Sequence, residues 1–318
     1  MKTTDRRRFL RASLSGVAGL ASAPLLSGLA GCQHAPAQPS PVPSVAIATR
    51  KLTDRITLIS GVPGNVLALD SGDGVVLVDS GDANSARAVK ASLGGARVRT
   101  LFNTHYHPDQ TGGNVLFGSD GATIHAHVIT RQWLSTDYYV PAEDRWVKAL
   151  AQAGRPTQTF RLKGEMTAGA ERIEYGYLLE AHTRGDIYVF FRDSNVLAVG
   201  DVASPLRDPA LDWYAGGWLG GRVDAMDDLL ALANEETLIV PAYGPVMTRA
   251  GLQAERDMML HLYDRTTFLT TKGHSAQDML DAGVMNEVSR RFEDPYRFLY
   301  DVSKGLWAHY TNFGGNIV

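Results

Sequence analysis

The chain has 318 residues, 44% of them hydrophobic and 20% charged, with a single cysteine. This is globular composition, long enough for a large core, and one cysteine excludes both an intramolecular disulfide framework and a Cys-based zinc knuckle. The net charge of −3 hides an asymmetry: without residues 1–31, which hold five basic groups and one acid, the rest carries 26 basic and 33 acidic groups, a charge of −7. Such an acidic body offers no electrostatic footprint for nucleic acid.

The chain starts with Asp5-Arg6-Arg7-Arg8-Phe9-Leu10-Arg11 ahead of a small, weakly apolar run from Ala12 to Ala30. Basic residues before an apolar run are the layout of a bacterial export signal, and the arginine pair before Phe-Leu resembles a twin-arginine signal. The run is broken by Gly16, Gly19, Pro24, Gly28 and Gly31, which disfavours a permanent transmembrane helix of about 20 strongly apolar residues. Leu29-Ala30-Gly31-Cys32 resembles a lipobox. That resemblance implies cleavage before Cys32, lipid on its sulfur, and a protein anchored to the membrane on the periplasmic side. Pro36, Pro39, Pro41 and Pro43 then make an extended tether. The chain is thus expected to divide into a signal (1–31), a tether (32–50) and a folded domain (51–318).

In the domain, Ile56–Ser60 and Val66–Asp70 alternate as strands, Ser71-Gly72-Asp73-Gly74 is a turn, and Val75–Val78 is a buried strand. A helix is predicted over Asp82–Leu93, ended by Gly94-Gly95, and a strand over Val98–Asn103. Further strands are predicted at Ala122–Ala126, Arg172–Leu179, Asp186–Phe191, Val196–Val199 and Thr237–Val240. Helices are predicted at Asp224–Asn234 and Arg249–Thr267, and Ser275-x-x-Asp278 reads as a capping box opening another. Residues 136–158 fit neither period and read as an insertion. The C-terminal part is expected to be a helical extension whose uncharged tail, Trp307–Val318, docks on the body. Strands and helices in this order point to an α/β (α+β) protein with sheets covered by helices on their outer faces.

Four short segments carry chemistry, each where a strand meets a loop. They are Asn103-Thr104-His105-Tyr106-His107-Pro108-Asp109-Gln110, Ala181-His182-Thr183-Arg184-Gly185-Asp186, Gly200-Asp201, and Pro241-Ala242-Tyr243-Gly244-Pro245. Imidazoles two residues apart at a strand end can turn toward one metal, and imidazole with carboxylate suits zinc, less often iron or manganese.

In this order, with Asp79-Ser80-Gly81 closing an early strand and Trp213-Tyr214-Ala215-Gly216-Gly217 between the later motifs, the segments resemble the metallo-β-lactamase superfamily over about Leu52–Ala250. The resemblance implies a four-layer αββα sandwich with a metal site along one edge of the paired sheets. It implies that His105, His107 and His182 hold a first metal and that Asp109 and Asp201 belong to a second. At two positions of that second site the family's histidines are replaced, by Gln110 and by Tyr243. A weak amide oxygen and a phenol are poor zinc donors, so one zinc per chain is expected, with a second metal or iron at Tyr243 as the rival. A zinc held by three histidines leaves room for a water. Asp109 or Asp201 would orient that water or take its proton, and Tyr243 would hydrogen-bond an oxyanion or leaving group. Asp79 is expected to brace the metal loop, as are Thr183 and Asp186. His125, His127, His261, His274 and His309 read as packing or surface residues. Trp133, Tyr138, Tyr139, Trp146, Trp213 and Trp218 read equally as a pocket floor for an apolar molecule or as packing.

The expected function is a zinc-dependent hydrolase acting on a small-molecule ester, lactone, thioester or amide through metal-bound hydroxide. True β-lactamase activity is disfavoured, because the metal that holds the cleaved nitrogen is the one whose ligands are replaced. A non-catalytic metal-binding or sensor lipoprotein, and an iron-dependent redox member of the same fold, are the alternatives.

Overall fold

Alternation along the strands decides the layering. Leu67 and Leu69 on β3 (Val66–Asp70) face one way and Val66 and Ala68 the other, and all four are buried. Both faces of the sheet are therefore covered. In the computed structural model, which describes residues 47–140 and 144–311, β1 (Ala48–Lys51), β2 (Ile56–Ser60), β3, β4 (Val75–Val78), β5 (Val98–Phe102), β6 (Thr123–His127) and β9 (Gln158–Phe160) form a seven-stranded sheet in that order. A second sheet has five strands, β10 (Lys163–Ala168), β11 (Glu171–Tyr177), β12 (Ile187–Phe191), β13 (Val196–Gly200) and β14 (Leu238–Pro241). The insertion supplies a hairpin of its own, β7 (Tyr138–Val140) against β8 (Arg145–Val147).

Ile56, Leu67, Leu69, Val76 and Phe102 of the first sheet meet Ile173, Val189, Phe191, Val196 and Val240 of the second in an inter-sheet core. On the outer face of the first sheet, Val66, Leu77 and Leu101 pack under Val89 of α1 (Ala86–Ser92) and Phe117 of α3 (Asn114–Ser119). Phe190, Leu197 and Ile239 pack under α5 (Leu219–Leu232), α6 (Arg249–Thr271) and α8 (Pro295–Thr311). The order helix, sheet, sheet, helix is the expected four-layer α/β sandwich. The short helices α2 (Pro108–Thr111), α4 (Val128–Leu134) and α7 (Ala276–Asp281) complete it, α7 opening on the predicted Ser275/Asp278 capping box.

Several boundaries differ from the sequence reading. The helix predicted from Asp82 starts at Ala86, because Asp82 Oδ1 accepts the Ser85 N–H (2.8 Å) and closes a turn there. The helix predicted from Asp224 starts at Leu219. Its two glycines are used for close approach, since a Cβ on Gly221 would lie 2.3 Å from the Glu180 carbonyl oxygen. β1 begins inside the stretch read as tether. Cys32, the signal and most of the tether, and the tail 312–318, lie outside the described residues. Among the described residues, no helix is long and apolar enough to cross a membrane.

Candidate metal centre

Parallel pairing puts the site at one edge. β4 runs parallel to β5 in the first sheet and β13 parallel to β14 in the second, so the loops after all four strands leave together. Those loops begin with Asp79, Asn103, Asp201 and Ala242. Asn65 ties the two sheets across this edge, its Nδ2 donating to the carbonyls of Pro241 (2.9 Å) and Gly244 (3.0 Å). Gly200 makes the turn that delivers Asp201: its φ is +56°, and a Cβ there would sit 2.9 Å from Thr104 Cβ. Only glycine adopts that backbone without strain.

Among the described residues, His105, His107, His182 and Asp201 bring one donor atom each within 4.8 Å of one another. Each imidazole is held in a defined tautomer by the partner of its other nitrogen. Thr104 Oγ1 donates to Asp79 (2.7 Å) and so accepts from His105 Nδ1 (3.1 Å), leaving the His105 Nε2 lone pair free. The carbonyl of Ala210 can only accept, so His182 Nδ1 (2.9 Å) carries the proton and Nε2 the lone pair. Asp212 Oδ2 accepts from His107 Nε2 (2.9 Å), which turns the His107 Nδ1 lone pair inward. His182 Nε2 and His107 Nδ1 then face each other at 3.1 Å. His105 Nε2, 1% exposed as a residue, has no partner in the protein. Converging lone pairs, one of them orphaned and buried, fit a cation at their centre. Asp201 Oδ2 stands slightly farther out, 3.7 Å from His105 Nε2 and 3.6 Å from His182 Nε2.

Electrostatics agree with that fit. Burial and the neighbouring imidazoles hold His105 well below the usual histidine range, and burial takes His182 down to about 3. Both are neutral donors near pH 7. Burial also opposes charge on His107, but its bond to Asp212 outweighs this and raises it. Burial and the charge of Asp109 push Asp201 up to about 6.

The second-site residues are arranged differently. Tyr243 donates its hydroxyl proton to Asp109 Oδ2, and burial together with that carboxylate raises the phenol above its ordinary range. The Arg207 guanidinium lies 3.6 Å from the Tyr243 ring centroid. Gln110 is fully buried with both amide atoms unpaired in the protein. Asp109 is not among the converging donors. Here the phenol is protonated and engaged with Asp109, and the guanidinium stacks on its ring.

Asp79, raised to about 8 by burial, accepts from both the N–H (2.8 Å) and the hydroxyl of Thr104. Asp186 accepts from the N–H groups of His182 and Thr183 (2.7 Å each). His127 stacks on Tyr177 at 4.0 Å and His125 packs on Phe102. His309 stacks on Trp218, and His261 pairs with Glu287. Asp212 was missed by sequence reasoning. It is a lone carboxylate just before the Trp213–Gly217 segment, and that adjacency was its only signal.

Beside His107 and His182 opens a cleft of about 900 Å³, mostly apolar, reaching from Pro63 to α8. Trp133, Tyr138 and Tyr139 line it with Tyr106, whereas Trp146, Trp213 and Trp218 do not.

The family model of the metallo-β-lactamase superfamily matches residues 59–242, more than half the chain. Together with the layering and the histidine cluster, this places the chain in that superfamily. Among solved structures, it is similar to a metallo-β-lactamase from Pontibacter korlensis (TM-score 0.55, 20% identity, covering 68% of this chain and 99% of that one). It is also similar to the sec-alkylsulfatase Pisa1 from Pseudomonas sp. (0.58, 17%, 85% of this chain but only 50% of that one). A third similar structure is the DIM-1 metallo-β-lactamase (0.54, 16%, 67% and 96%). These likenesses show a shared fold. No protein of the curated set matches the chain.

Proposed function

We propose that the protein is a mononuclear zinc hydrolase that cleaves an ester, lactone, thioester or amide. The observation that carries this reading is the set of three tautomer-fixed imidazoles whose lone pairs converge at the wall of an open cleft. His105, His107 and His182 would hold the zinc. Bound there, the metal polarises a carbonyl and acidifies a water to a pKa of about 7.

The chain's own groups do the rest. Asp201 orients the water and takes its proton. The Asp109–Tyr243 pair, already sharing a hydrogen bond, supplies a donor to the departing oxygen, nitrogen or sulfur. The water oxygen ends on the acyl carbon, the bond from that carbon to the leaving atom breaks, and the leaving atom receives the proton. Replacement of the second-site histidines by Gln110 and Tyr243 supports one metal and argues against β-lactams as the substrate.

The test is metal content per chain by elemental mass spectrometry, paired with turnover of an ester, lactone, thioester and amide panel before and after chelation. One zinc, with turnover lost on stripping and restored by zinc, is the expected result. Two metals, or iron, overturns the mononuclear mechanism. One zinc without turnover on any member overturns the hydrolase and favours a binding or sensor protein. We also propose export and anchoring through lipid on Cys32, supported by the lipobox-like segment. Mass spectrometry of the mature N-terminus that finds Cys32 unmodified overturns it.

A further inference from the structure

Resting on the hydrolase reading, the cleft points to a substrate class. We propose that this protein takes an uncharged substrate with a long or bulky apolar group, and that the inserted hairpin and α4 measure that group.

The floor beside His107 is a fixed aromatic cluster. Tyr106 and Trp133 stack at 4.8 Å, and Tyr138 stands edge-on to both, at 5.5 and 5.0 Å. The Tyr106 hydroxyl is spent on Asp212, so this wall offers mainly ring surface. Tyr138 comes from β7, Trp133 from α4, and Leu134 and Leu150 extend the same apolar lining. A volume of about 900 Å³ lies near the top of the range for small-molecule sites, far more than an acetyl-sized group fills.

Charge excludes anionic headgroups. Asp82, Asp109, Asp212 and Asp301 all line the cleft. Of the cations lining it, Lys148 is paired with Asp137 (2.6 Å), Arg297 with Asp301 (2.6 Å), and Arg145 on β8 is engaged as well. An anionic headgroup would meet four carboxylates and three cations that already have partners. An apolar chain finds its surface on the aromatic wall and the leucines beside it.

The experiment has two arms on the zinc-loaded protein. In the first, kcat/KM is measured for p-nitrophenyl esters from acetate to octanoate. Burial of each added methylene is expected to raise it about fourfold until the cleft is filled, and Trp133→Ala and Tyr138→Ala are expected to flatten the slope. In the second, the neutral probe N-phenyl-1-naphthylamine is displaced by straight-chain alcohols from butanol to octanol and by octyl sulfate. Octanol should displace better than butanol and at least as well as octyl sulfate, with the preference for octanol over butanol weakened in Trp133→Ala. A flat ester series overturns the proposal, as does equal displacement by all alcohols, or octyl sulfate winning. If no ester turns over yet displacement follows chain length, the hydrolase reading fails and the ligand class stands.

Discussion

Asp212 is the most exposed point of the metal-site reasoning. Its Oδ2 accepts from His107 Nε2 at 2.9 Å and from the Tyr106 hydroxyl, while Oδ1 accepts from the Ala215 N–H at 3.2 Å. Asp212→Asn keeps the shape and removes the charge. Whichever way the amide turns, a single neutral oxygen replaces a carboxylate that now accepts from three donors, and bonds to a charged acceptor are about twice as strong as neutral ones. Loss of such a partner behind a ligating histidine costs about 10–100-fold in metal affinity, roughly 1.4–2.7 kcal/mol. Zinc affinity by chelator competition measures this directly. Tyr106→Phe is the control: it removes the hydroxyl bond and leaves the carboxylate on His107, so its effect should be under about threefold. Zinc binding within twofold of wild type in Asp212→Asn, or an equal loss in Tyr106→Phe, refutes the idea that the carboxylate sets the His107 tautomer.

Zinc affinity should fall about tenfold per pH unit below the pKa of His107 and level off above it. The sign follows because a proton on His107 competes with the metal, while burial already keeps His105 and His182 neutral; a slope of three would contradict this. Asp201→Asn should keep its zinc while kcat drops about 10²–10⁴-fold, and loss of the metal itself would make Asp201 an essential ligand. Gln110→His/Tyr243→His should raise zinc from one to two per chain by elemental mass spectrometry; a count unchanged at one would refute the idea that these two replacements are what removes the second ion. Gly217→Ala would set a Cβ 2.0 Å from the His182 carbonyl oxygen, so by calorimetry it should cost about 1–3 kcal/mol and weaken zinc binding in the same variant.

What was legible in the sequence follows from what each residue must do. Strands buried on both faces announce themselves, as Val75–Val78 and Val196–Val199 do, because nothing polar interrupts them. Strand β10 does not: Lys163–Ala168 is a half-exposed edge strand whose inward positions, Gly164, Met166 and Ala168, are mostly small, so its alternation is faint. The clustered histidines were legible as candidates because imidazoles at strand ends have few other uses, and three of the four converging side chains lie in two short segments. Their orienting partners were not. Ala210 acts through a carbonyl that any residue would supply, and Asp212 is a single carboxylate without spacing to mark it. Of six aromatic residues flagged together, three line the cleft, and nothing in their spacing separates them from the rest, since Trp146 shares the inserted hairpin with Tyr138 and still lies outside the cleft.

Two of the three histidine partners, Ala210 and Asp212, sit in the irregular stretch between β13 and α5, so something must hold that stretch still. Arg222 does so from inside α5. Fully buried, it donates through Nη1 to the Ala210 carbonyl (3.0 Å) and through Nη2 to Ser204 Oγ (2.8 Å). Glu255 on α6 takes the Ser204 N–H at 2.7 Å. The Ala210 carbonyl thus accepts from Arg222 and from His182 Nδ1 at once, and the outer helix layer reaches the histidine cluster through one backbone oxygen. In sequence, an arginine after Gly220-Gly221 in a helix reads as solvent-facing. Buried, and deprived of part of its charge stabilisation by that burial, it is costly enough that its bonds to the loop are what justify its place there.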